Sequence, residues 1–210
     1  GFFPSASFFA SLNSTLDFSQ FDGNSDGVVD GIVFVHAGPG SEDSSSAFFW
    51  SFTSLRSLNN LPLWGPYDGK LIDSWSMCPE LKPLRQSCCP REWANVDTLS
   101  PIVVYVHEML HQFHVWDLYD GNARLDTMNY FVPSDSNDWP LNDWCIMATP
   151  GRNWAQRAMV PPHPCGYTKI QLGWIQPTVI TTASNSSLVV KDIETHKDSS
   201  LYKIPINAAM

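Results

Sequence analysis

Ser100-Pro101-Ile102-Val103-Val104-Tyr105-Val106-His107-Glu108-Met109-Leu110-His111-Gln112-Phe113-His114-Val115-Trp116-Asp117 is the stretch whose reading decides the fold. Ser is a favoured N-cap and Pro a favoured first helical residue, so a helix is expected to open at Ser100-Pro101. The run from Ile102 to Val115 is apolar nearly all round, which predicts a helix buried in the core. Within it His107 and His111 stand four residues apart and share one face. Two imidazoles so placed can bind one metal ion, and Glu108, next to the first, can reach a water on that ion. Burying two His and a Glu for packing alone is costly, because polar groups without partners lose their hydration. The expected centre is therefore zinc, with Glu108 as general base.

A catalytic zinc needs a third protein ligand. The next Glu is Glu194, far downstream, so the nearby donors are His114 and Asp117. On a continued helix Asp117 would leave the His107/His111 face. It can ligate if the helix ends near residue 114 and the chain turns back. His is among the few non-glycine residues enriched at positive φ, so His114 can supply that turn. Asp117 is preferred as the ligand on this argument, with His114 as its rival. Downstream, Trp144-Cys145-Ile146-Met147 offers a methionine turn beneath the metal, and core packing is the alternative role for that methionine. Tyr167 could stabilise an oxyanion, although packing is the favoured reading.

Outward from the helix, Asp22, Asn24, Asp26, Val28 and Asp30 fall at positions 1, 3, 5, 7 and 9 of a loop with Gly27 at position 6. That is the spacing of a calcium loop, with the Val28 carbonyl as one donor. The twelfth position is Val33, not Glu, so the loop is not a full EF-hand. Calcium is expected here, and a solvated acidic turn is the alternative. A short helix over residues 4–16 should bury Phe8, Phe9 and Leu12. Gly31 to His36 reads as a buried strand, and Lys70 to Met77 as a strand at a sheet edge. Phe48 to Leu58 is ambiguous, and Tyr167 to Trp174 reads as a short helix. From Pro177 the chain becomes Ser/Thr-rich with apolar pieces at Val179-Ile180, Leu188 to Val190 and Tyr202 to Ile206, a pattern of β-strands.

Composition bounds the function. The 210 residues carry 12 Lys+Arg against 21 Asp+Glu, a formal charge of −9, which argues against nucleic acid as a partner. Nine Trp and 43% hydrophobic residues exclude a disordered chain. No apolar run reaches the roughly 18–20 residues of a membrane span. Five Cys beside few Lys fit an oxidising compartment, and Asn13-Ser14-Thr15 and Asn185-Ser186-Ser187 are N-glycan acceptors if the source is eukaryotic. Cys145 with Cys165, and Cys78 with Cys88 or Cys89, are the pairings to test. The start at Gly1 suggests that a signal peptide and a pro-segment have been removed, and the end suggests a longer multi-domain extracellular chain.

Taken together, the motifs are similar to those of the immune inhibitor A family of secreted zinc metallopeptidases. The matching stretches are Asp17 to Asp30, Phe34 to Glu42, His107 to Asp120 with its Asp-Leu-Tyr-Asp end, Trp144 to Met147, and Pro161 to Trp174. They run in family order over residues 16–177. The resemblance implies an α+β, metzincin-like catalytic domain over 1–177, with a mixed sheet and a buried active-site helix, followed over 178–210 by the start of a β-sandwich-like module. It implies zinc ligands at His107, His111 and Asp117, a base at Glu108, a methionine turn at Met147 and a structural calcium. It also implies that the strand lining the substrate cleft is Lys70 to Glu80. The family has Gly where this chain has His114. His36 and Glu42 fall at family positions to which no role is assigned.

The expected activity is hydrolysis of peptide bonds in proteins and peptides through a zinc-bound water deprotonated by Glu108. The competing reading is a non-catalytic assembly or adhesion protein on the same scaffold. A calcium-dependent carbohydrate-binding module is a third, against which the nine Trp show no spacing pattern.

Overall fold

The computed structural model describes residues 4–40, 49–81, 99–119, 124–125, 131–132, 141, 144–148, 161–180, 187–193, 195–196 and 199–205. The elements run α1 (Ala6–Leu12), a 3-10 turn (Phe18–Phe21), β1 (Val33–Pro39), β2 (Phe52–Leu55), β3 (Trp64–Tyr67), β4 (Lys70–Ile72), β5 (Ser74–Leu81) and α2 (Ile102–Gln112). These are followed by β6 (Arg124–Leu125), β7 (Phe131–Val132), α3 (Gly166–Gln171), β8 (Thr178–Val179) and β9 (Tyr202–Lys203). The chain is α+β, with small sheets and few helices. No helix among the described residues is long and apolar enough to cross a membrane.

The organising strand is β5. It lies between β1, to which it is parallel, and β2, to which it is antiparallel. Successive side chains of a strand point to opposite faces. Trp75 and Met77 therefore face one way, into a cluster with Phe9, Phe18, Val29 and Ile72. Ser74, Ser76 and Cys78 face the other way, toward α2. Two serines on that face leave room for close approach: Ser76 Oγ lies 3.2 Å from the Glu108 carbonyl oxygen.

On the first face α1 opens at Ser5, whose hydroxyl accepts from the Phe8 amide. Its apolar side carries fully buried Phe9, which packs on Trp64 at a ring separation of 5.0 Å and on Phe34 at 6.1 Å. Burying such a side chain contributes roughly 1.5–3 kcal/mol. On the second face Val103, Val104 and Leu110 of α2 pack with Val115, Cys145, Ile146, Met147 and Ala148. The helix is thus fixed between the sheet and the 144–148 turn.

Several expectations change. The N-cap position of α2 is Pro101, with no side-chain cap; the Ser100 amide donates instead to the Glu80 carbonyl, tying the helix start to β5. The helix ends at Gln112 rather than Val115, and Ile102 and Met109 are exposed, so its burial is one-sided. The predicted edge strand at 70–77 is two strands broken at Asp73, and β5 is central. Asp73 accepts from both the amide and hydroxyl of Ser57, which holds that break. Beyond Pro177, β8 and β9 form a two-stranded parallel pair. Leu188 to Val190 are exposed and form no strand, since no ladder partner lies beside them among the described residues.

Candidate metal centre

The helix brings His107 and His111 edge to face, with ring centroids 4.9 Å apart. His107 Nδ1 lies 2.8 Å from the Ile146 carbonyl oxygen, and His111 Nδ1 lies 2.7 Å from that of Val115. A carbonyl can only accept, so both Nδ1 atoms carry the proton and donate. In the neutral rings both Nε2 atoms then present lone pairs to a common point. They stand 3.2 Å apart, and Asp117 Oδ1 lies 3.1 Å from one and 3.4 Å from the other. Two lone pairs and a carboxylate oxygen this close repel unless a cation lies among them. Carbonyl groups that fix the far nitrogen of a ligating imidazole are the usual backing of a metal-binding His. Among the described residues this trio is the one group of three His, Cys, Asp or Glu donors whose ligand atoms all lie within 4.8 Å.

Asp117 reaches the site because the chain turns sharply after α2. Phe113 caps the helix, and His114 adopts φ 61°. The turn expected at His114 is thus made by a non-glycine residue. Its side chain points elsewhere: His114 Nε2 lies 3.4 Å from Ser57 Oγ and 3.9 Å from Asp73 Oδ2. Of the two candidates for third ligand, Asp117 lies in this group and His114 lies outside it. Burial pushes the Asp117 carboxyl up, but in the metal-free protein the facing imidazoles, donating to it when protonated at Nε2, outweigh that and hold the group well below the carboxylate range. Burial lowers His111, while the bond to Asp117 raises it, and the net direction is upward. Burial, with the nearby Asp117 carboxylate, pushes the Tyr119 phenol upward. The Asp117 side chain remains 36% exposed, so the cluster opens to solvent.

Glu108 is buried at 7% exposure on the neighbouring face of α2. Burial raises its pKa, and the nearby His107 and His111 oppose the rise. Thr53 on β2 lies with its hydroxyl 2.9 Å from Glu108 Oε2, 2.7 Å from the Glu108 carbonyl oxygen and 2.8 Å from Ser76 Oγ. Below it Gln112 links three elements. Its Nε2 donates to the Ile32 carbonyl at 3.0 Å and to Ser76 Oγ at 2.7 Å, and its Oε1 accepts from the Ile32 amide at 3.0 Å and Ser74 Oγ at 3.1 Å. Sequence reasoning missed Thr53, Ser76, Gln112 and Tyr119. A polar Gln inside an otherwise apolar helix was the available signal for one of them; Thr53 and Ser76 carry none without the strand register that pairs them.

The 144–148 turn lies under the site. Met147 is fully buried, its carbonyl accepts from the Leu118 amide at 2.8 Å, and the preceding carbonyl holds His107. Tyr167 is 56% exposed, which suits neither of its two expected roles well. His36 on β1 lies against Phe49 with its Nε2 buried, and Glu42 lies outside the described residues. Asn185, Cys88 and Cys89 lie outside them as well.

The 22–30 loop is built differently. Asp22 Oδ1 accepts from the Asp26 amide and its Oδ2 from the Gly27 amide. Lys70 Nζ sits 2.6 Å from the same Oδ2, and that bond, ahead of the loop amides, lowers the Asp22 pKa. Asp26 Oδ1 accepts from the Val28 amide, Asp26 Oδ2 from the Asn24 amide group and Asp30 Oδ2 from the Gly23 amide. The carboxylates predicted as calcium donors are therefore bonded to the loop itself and to one lysine. No protein-family model matches the chain, and no curated protein matches it either.

Proposed function

We propose that the chain is the catalytic part of a secreted zinc endopeptidase with a metzincin-like arrangement, acting on protein or peptide substrates. The observation that carries the reading is the convergence of two Nε2 lone pairs and the Asp117 carboxylate on one point, beside buried Glu108. Two imidazoles and a carboxylate on an open site suit a hydrolytic zinc centre. Zinc held by these three residues would supply Lewis acidity, polarising a carbonyl and acidifying a water. Glu108 then takes the proton of the attacking water and returns it to the leaving amine. A carboxyl whose pKa is raised by burial is suited to both halves of that task. Thr53 holds one Glu108 oxygen and leaves the other for the proton.

The test is metal analysis of purified protein with casein cleavage, wild type against Glu108→Gln. The expected result is about one zinc per chain in both and a loss of roughly 10²–10⁴-fold in cleavage in the variant. A zinc-free protein, or cleavage untouched by Glu108→Gln, would sink the reading; zinc without any cleavage would favour the non-catalytic scaffold. Calcium binding in the 22–30 loop would require an ion at Asp22 to displace Lys70.

A further inference from the structure

Cys145 and Cys165, twenty positions apart, meet behind the turn that backs the metal centre. The Cys165 amide donates to Cys145 Sγ at 3.2 Å. Both sulfurs lie against one hydroxyl, Thr168 Oγ1, at 3.9 and 3.5 Å. Both are free thiols in this structure. Cys145 is buried and Cys165 is partly exposed. Their position gives the contact its meaning. Cys145 directly precedes Ile146, whose carbonyl orients His107, and Met147, whose carbonyl receives the amide after Asp117. Cys165 directly precedes α3. We infer that Cys145 and Cys165 form a disulfide in the mature protein, a covalent brace that ties the metal-supporting turn to α3.

The chemistry is thiol–disulfide exchange with a small-molecule or protein disulfide of the secretory route. Cys165, the more accessible thiol, loses a proton and attacks one sulfur of that disulfide, expelling the other as a thiolate. Hydrogen bonds from Thr168 offset the burial of Cys165 and favour its thiolate. Cys145 then loses its proton and attacks the Cys165 sulfur of the mixed disulfide, expelling the second thiolate. Two electrons and two protons leave the cysteine pair, and the oxidant's S–S bond is reduced to two thiols. The cross-link stands apart from the zinc reading; only its effect on metal retention rests on that reading.

Trypsin separates the relevant cysteines, placing Cys145 in peptide 125–152, Cys165 in 158–169, and Cys88 with Cys89 in 86–91. Full-length protein is alkylated without reductant, digested and mapped by mass spectrometry. The expected result is peptide 125–152 joined to 158–169, with the pair separating on reduction. Alkylated Cys145 and Cys165 at the outset, or either joined to 86–91, would overturn the inference. The Cys145→Ala/Cys165→Ala variant adds the functional arm: its metal should be lost to a chelator on the order of tenfold faster. Unchanged release would overturn the bracing role. If that variant does not fold, the wild-type map still decides the cross-link. If the wild type holds no metal, the joined peptides still support the disulfide while the zinc reading falls.

Discussion

Two regions of this molecule gather groups of the kind that ligate ions, and they are built on opposite plans. At His107, His111 and Asp117 the protein satisfies the back of each imidazole and leaves the front atoms facing one another at 3.1–3.4 Å. In the 22–30 loop the front atoms are themselves satisfied, by loop amides and by Lys70. The first arrangement is costly without a cation, whereas the second is complete without one. Ligand spacing alone does not separate a site that demands an ion from a loop that can do without. What separates them is where the remaining hydrogen bonds go.

The comparison is broken most completely at the helix. His111→Ala removes a proposed zinc ligand and the anchor of the Val115 carbonyl, and should abolish both bound metal and cleavage, read by elemental analysis and a casein assay. Next in size is Gln112→Leu. It strips partners from the Ile32 amide and carbonyl, Ser74 and Ser76, and should destabilise the fold by roughly 2–4 kcal/mol in urea denaturation. Because Gln112 joins α2 to the segment that follows the acidic loop, equal stability in the variant would mean that the two regions are not coupled through it.

A smaller effect separates the regions by pH in chelated protein. The raised His111 adds stability below its ordinary pKa of 6.5, and that stability is lost as pH rises through the raised value. The depressed Asp117 adds stability above its ordinary 3.8, lost only as pH falls through the depressed value. Metal-free protein should therefore melt highest between about pH 4 and 6.5 and a few degrees lower at pH 8. Metal should reverse that slope, because ligation needs deprotonated imidazoles. A metal-free Tm that rises toward pH 8 would refute the ion-pair account. The smallest effect belongs to the loop: Lys70→Met frees Asp22, so calcium should raise Tm by about 2–4 °C more in the variant than in wild type.

The sequence made the helix, its paired histidines and Glu108 legible, because each rests on spacing within one element; the first apolar strand was legible as a strand but not in its burial, since β1 lies at the sheet edge with Val35 56% exposed. It also pointed to the return of Asp117 through a turn at His114, since helix geometry excluded any other route. The helix start was misjudged: a Ser-Pro signal is local, and the bond from the Ser100 amide to Glu80 is not. The central place of β5 was hidden for the same reason, because alternation marks a strand without saying which neighbours flank it. Thr53 and Ser76 emerge only from the pairing of β2 with β5. Lys70 on Asp22 lies 48 positions away, and no loop motif encodes it.

The two carbonyl backings differ in reach along the chain. His111 is held by a residue four positions on, His107 by one 39 positions on. During synthesis the first ring is set as soon as the helix exit forms, while the second waits for the chain to return over a much longer span. Longer closures cost more entropy and come later. The grip on the ion should accordingly mature in two stages in time. In refolding from denaturant with zinc present, helix signal and weak zinc uptake should come first and resistance to chelator second. Simultaneous appearance of both would place the 144–148 turn in the earliest structure to form.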